Sequence, residues 1–229
     1  MGWKAATIII QDATPANNEE ILTTLGFDNL QFTGDEPFET AMDPEEDKVY
    51  IGSCKGNLLI CAQELSMQFF DEEETAAVRT LTQLFPRTEI CSIILQSTVN
   101  LWGYSIIKNT QKIRTRAGSA DEGTFLEYGE PLEEEKELLS RSTIGEGGNR
   151  IYILHDQPGE PYQEDQVGEN LVFAITRRYF GEELDSDDEL LFETTLAGYH
   201  FGKPADIPAS TPPPVQQETV AGKPWWKFW

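Results

Sequence analysis

Residues 89–117 read EICSIILQSTVNLWGYSIIKNTQKIRTRA, and this stretch decides the fold. EICSIILQ (89–96) is dense in Ile and Leu and long enough to cross a sheet. The polar STVN (97–100) turns the chain into LWGYSII (101–107), and KNTQ (108–111) turns it again into KIRTRA (112–117). Three apolar runs joined by such short connections predict three consecutive antiparallel strands. Strand alternation puts Trp102, Tyr104 and Ile106 on one face of the second strand, with Gly103 and Ser105 opposite. On the third strand the same rule puts Lys112, Arg114 and Arg116 on one face and Ile113, Thr115 and Ala117 on the other. The apolar side of this meander needs a cover, which flanking amphipathic segments can supply.

Working outward, 3–11 reads as a first strand. Asn17 or Asn18 can cap a short helix that runs through Leu25 and ends at Gly26. Val49–Gly52 and Asn57–Gln63 read as a hairpin around Ser53-Cys54-Lys55-Gly56. Asp71-Glu72-Glu73-Glu74 load the start of a helix with the negative charge its dipole prefers. Ala77, Val78, Leu81, Leu84 and Phe85 form its apolar stripe and Pro86 stops it, making it the first candidate for the cover. A second amphipathic helix is predicted over 164–180, with Gly181 ending it, and shorter ones over 132–140 and after the capping-box pattern at 186–189. Residues 150–154 read as a short strand. The acidic, proline-bearing stretch 35–47 and the stretch 118–131 read as connections. Interleaved strands and helices without strict βαβ alternation give an α+β class: an antiparallel sheet centred on 89–117, covered by helices, over a single domain 1–202.

Beyond that domain the composition changes. Residues 203–222 are proline-rich and read as a flexible linker, and 223–229 are KPWWKFW. Trp225, Trp226, Phe228 and Trp229 concentrate contact area at low entropic cost and read as one adhesive, partner-binding unit, able to engage its own domain or another protein.

The chain holds 17 basic against 40 acidic residues, a net charge of −23. Such a surface repels nucleic-acid phosphates and anionic headgroups, so no nucleic acid and no stable membrane association are expected, and a basic protein is the favoured partner. Cys54, Cys61 and Cys91 lie in apolar runs, which suits buried, reduced thiols in a cytoplasmic protein. The motif search is negative for catalysis. Two histidines cannot build a His-rich metal site, and no nucleophile elbow or phosphate loop occurs, so no catalytic residue, metal or cofactor is expected. Gly145-Glu146-Gly147-Gly148 reads as a plain turn, and the acids at 185–189 as a helix cap. The one basic concentration is Lys112, Arg114 and Arg116. Exposed pairing with the acids of 121–130, worth on the order of 1 kcal/mol or less, competes there with an anion-binding site.

The segments MGWKAATIII, NLWGYSIIKN, RAGSADEGTF and RRYFGEELDSDDELLFETTLAGYHF resemble a family of uncharacterised bacterial proteins with no assigned activity, over most of residues 1–201. KPWWKFW is similar to the tails of assorted small cytosolic bacterial proteins, predicted immunity proteins among them. The leading expectation is a non-enzymatic cytoplasmic interaction protein, an immunity-type acidic binder of a basic partner. The alternative is an enzyme or binding protein for a small anion held by Lys112, Arg114 and Arg116.

Overall fold

The structure is a computed structural model describing residues 2–14, 17–145, 150–154 and 161–202. The linker and Trp-rich segment at 203–229 and the glycines 147–148 lie outside them, and so does His155. The elements in chain order are β1 (Lys4–Ile10), α1 (Asn18–Thr24), β2 (Gln31–Pro37), α2 (Phe38–Ala41), β3 (Lys48–Cys54), β4 (Asn57–Cys61) and α3 (Gln63–Met67). Then follow α4 (Ala76–Leu84), β5 (Glu89–Gln96), β6 (Leu101–Lys108), β7 (Gln111–Ser119), β8 (Gly123–Tyr128) and α5 (Glu133–Ser140). The chain continues through β9 (Ser142–Ile144), β10 (Arg150–Tyr152), β11 (Tyr162–Gln163), α6 (Glu164–Phe180), α7 (Asp188–Phe192) and β12 (Thr195–His200).

Nine strands form one sheet in the order β2-β12-β3-β4-β1-β5-β6-β7-β8, and every neighbouring pair is antiparallel. The α+β class therefore holds, and the meander β5-β6-β7 sits where its sequence puts it. Two-residue turns close the tight hairpins. Asn109 and Thr110, between the paired Lys108 and Gln111, both have positive φ (50° and 63°), the geometry that matches the right-handed twist of the flanking strands.

Both faces of the sheet are covered, not one. Ile9, Leu59, Ile93, Trp102, Tyr104 and Ile106 form one core with Leu171, Val172 and Ile175 of α6. Ile8, Ile60, Ile90, Ile94 and Ile107 form the other with Leu22, Leu65, Phe69, Val78 and Leu81. The principal cover of β6 is thus α6, and α4 packs instead beside the 3₁₀ turn Gln68–Phe70 on the opposite face. Gly168 lets α6 lie directly on the indole of Trp102, since a Cβ there would sit 2.0 Å from Trp102 Cδ1.

Several expectations need correction. The stretch 35–47 is not an exposed connection: it finishes β2 and forms α2, burying Phe38, Ala41 and Met42. The stretch 118–131 contains β8, which pairs with β7 from Thr115↔Tyr128 to Ser119↔Gly123. Helix α4 starts after the acids 71–74, because the Thr75 hydroxyl accepts the Val78 N–H and takes the cap. Asp187, not Ser186, caps α7. A small three-stranded sheet, β11-β10-β9, flanks the start of α6.

Candidate functional site

The third meander strand is where alternation fails. Ile106 pairs with Arg114 but Ile107 pairs with Lys112, so Ile113 is an extra residue bulged out of the ladder. The bulge reverses the direction of everything before it. Arg114 and Arg116 stay on the Trp102 face, while Lys112 goes to the Ile107 face. The expected stripe of three cations does not exist as one surface.

Arg114 and Arg116 are 0% and 1% exposed. Arg114 donates from Nε to Glu135 (2.9 Å), from Nη2 to Glu127 (3.0 Å) and from Nη1 to the carbonyls of Tyr128 and Gly129. Arg116 donates to Glu164, whose carboxylate also accepts from Thr124 and from Tyr152 (2.9 Å). Its guanidinium carbon lies 5.7 Å from the Trp102 ring. Pairing with the acids after the strand is therefore present through the half-exposed Glu127, but the arginines themselves are buried and also reach Glu135 and Glu164 on α5 and α6. Burial pulls Arg114 below its ordinary pKa and pushes the Glu135 carboxyl up to about 7, against the Leu132 N–H that stabilises its charged form. A second network joins the same helices to β5. Glu89, 1% exposed, accepts from Arg178, Tyr179 (2.9 Å) and Lys108 (3.2 Å). Burial raises its carboxyl, but those donors outweigh burial and hold it below the usual carboxylate range. A cavity of about 510 Å³ does open beside Arg116 and Arg150, but five carboxylates line it, Glu164 and Glu127 among them, and no anion would be drawn there.

On the opposite face of β7 and β8 no helix of the described residues lies, and a groove of about 600 Å³ opens there. Phe69, Phe70, Val78, Ile107, Leu126 and the half-exposed Tyr128 give it an apolar floor. One rim is the run Asp71-Glu72-Glu73-Glu74. Lys112 closes one wall, donating to the carbonyls of Phe69 (2.9 Å) and Asp71 (3.2 Å). Burial holds its ammonium below its ordinary pKa, against the attraction of Asp71 and Glu74. Ser105 and Thr115 are also turned inward: the two hydroxyls share a hydrogen bond (2.8 Å), and Ser105 donates to Phe69 (3.0 Å). The groove thus offers an incoming group flat apolar surface and an acidic edge. No anion site remains on it.

The sequence held one signal for this groove, the apolar pair Phe69-Phe70 followed at once by four acids. Read as helix loading, it hid the fact that the acids border an opening.

Residues 11–143 match a family of unknown function, DUF6928. The chain belongs to that family. No curated protein and no solved structure matches the chain. The match to DUF6928 spans β2 through β8 and α5, so it contains the whole groove, Arg114 and Arg116, with their partners Glu127 and Glu135. It stops short of α6, and with it of Glu164.

The remaining candidate groups are structural. Cys54, Cys61 and Cys91 are free and buried, and burial pushes Cys61 up to about 12 and Cys91 well above the ordinary thiol value. Such thiols are unreactive. Among the described residues no cluster of His, Cys, Asp and Glu could hold a metal ion, and no helix is long and apolar enough to cross a membrane.

Proposed function

We propose that this DUF6928 member is a non-enzymatic, cytoplasmic interaction protein whose groove receives a basic, aromatic-bearing segment of a protein partner. The single observation that carries the reading is the pairing of an apolar floor with the acidic run 71–74 over β7 and β8, where no helix of the described residues lies. Aromatic side chains bury flat area against such a floor, and lysines or arginines beside them meet the rim. The net charge of −23 would steer a basic partner toward the domain from a distance. Arg114 and Arg116 favour this reading over an anion-binding enzyme, because both guanidiniums are buried and already paired with the carboxylates Glu127, Glu135 and Glu164. The Trp-rich end, with Trp225, Trp226, Phe228 and Trp229, supplies a second contact element.

The test is a titration of the full chain with a short labelled lysine-tryptophan peptide, followed by fluorescence anisotropy at rising salt. Binding should be measurable at low salt and weaken steadily as salt rises, because exposed charges are screened within about 10 Å at 0.1 M. An aspartate-tryptophan peptide should not bind. Equal binding of both peptides, or of neither, contradicts the reading.

A further inference from the structure

We infer that the groove is the docking site of the chain's own terminal segment, KPWWKFW at 223–229, held intramolecularly until a partner displaces it. The inference rests on the groove reading above and adds a resident occupant to it.

The chemistry of the two parts is complementary. The groove pairs an apolar floor, Phe69, Phe70 and Ile107 at its base, with the acids Glu72, Glu73 and Glu74 at its rim. The segment carries four aromatic rings, two lysines and no acidic side chain, in a chain whose residues 1–202 hold 38 acids against 14 bases. It is the only seven-residue stretch of the sequence with three tryptophans. A cavity of about 600 Å³ is of the size that takes a compact ligand, roughly 300–1,000 Å³.

The geometry permits the contact. Phe201 packs against Phe27 in the core on the Ile107 face, so the described chain leaves the fold at Gly202 on the same face that bears the groove. From β12 to β7 is six strand positions, about 29 Å at roughly 4.8 Å each. Residues 203–222 can span up to about 70 Å when extended, and a flexible chain of that length has a root-mean-square reach of about 25 Å. The segment therefore meets the groove at an effective concentration on the order of millimolar, which makes even weak recognition effective within one chain. A basic, aromatic partner would compete for the same surface, so the segment sets a threshold that partners must exceed.

The tail's emission can be isolated as the difference between the full chain and a Trp225→Leu, Trp226→Leu, Trp229→Leu chain, which leaves the folded domain untouched. At sub-micromolar concentration this difference should be blue-shifted. It should move to a water-like position in Glu72→Lys, Glu73→Lys, Glu74→Lys, whose changes fall on exposed side chains. The tail variant should also bind the lysine-tryptophan peptide roughly tenfold more tightly than the full chain, the ratio of a millimolar effective concentration to an affinity of about 0.1 mM. Water-like tail emission in the unmodified chain overturns the inference. So does blue emission that ignores the rim charges, or that emerges only at concentrations where the chain self-associates. If the peptide binds both chains equally, the intramolecular docking is wrong while the groove reading stands. If it binds neither, both fall.

Discussion

Strand β7 presents two faces that handle charge in opposite ways. On the Trp102 face Arg114 and Arg116 are buried beneath α5 and α6, and their charges are paired with carboxylates from β8, α5 and α6. On the Ile107 face no helix of the described residues lies over β7 and β8, and a run of acids borders an apolar groove. The first face looks like a site when read as a sequence and is a structural clamp. The second reads as a helix start and is the surface with room for a partner. A concentration of unusual charge marks function only if its partners lie outside the fold.

The largest effect separating the two faces should come from Arg116→Met. It leaves the Glu164 carboxylate buried with its main counter-charge gone, and breaking a buried pair in this way costs about 3–5 kcal/mol. Urea denaturation reads it, and adding Glu164→Leu should restore much of the loss, because an apolar pair replaces an orphaned charge. A cost under about 1 kcal/mol would mean the face is wet and open, as exposed pairs are, and the contrast between the faces would fail. Next in size is Gly168→Ala. Its Cβ would collide with Trp102, and overpacking of this kind costs about 1–3 kcal/mol. A neutral result would mean that α6 does not bear on the sheet as described.

The pH dependence sharpens the same point. Glu89 is held below its usual range by Arg178, Tyr179 and Lys108, so the folded state releases its proton more readily than the unfolded chain does. Its contribution is complete above the ordinary glutamate value of about 4.3 and is lost as pH falls below it. Glu89→Gln should flatten the fall in stability between about pH 5 and 3, and an unchanged slope would remove Glu89 from the clamp. The smallest effect belongs to the groove. Glu72→Gln, Glu73→Gln and Glu74→Gln together should leave stability within about 0.5 kcal/mol per site, as surface changes do. They should nevertheless weaken binding of a lysine-tryptophan peptide. A large stability loss there would make the rim part of the clamp.

Much of the fold could be read directly. The strands β5, β6 and β7 and helix α6 carry strong local patterns, and local pattern and final structure agree there. The misses share a cause. QFTGDEP (31–37) has no strand pattern of its own, and it is a strand because β12, distant in sequence, pairs along it. β8 is disguised by its acids and exists through its pairing with β7. The bulge at Ile113 leaves no mark in composition, yet it alone decides that Lys112 parts from Arg114 and Arg116. The groove was equally hidden, because its parts come from the 3₁₀ turn Gln68–Phe70, β6, β7 and β8, and only the sheet order brings them together.

The central claim is that this protein meets its partner on the Ile107 face of β7 and β8 and not at the buried arginines. The most direct test is an amide ¹H–¹⁵N map of the full chain titrated with the lysine-tryptophan peptide. The account predicts perturbations at residues 68–78, Ile107, Lys112 and 126–128, with the signals of Glu135 and Glu164 at rest. Perturbations centred on Glu135, Glu164 and the arginine side chains, with 68–78 unmoved, would contradict it.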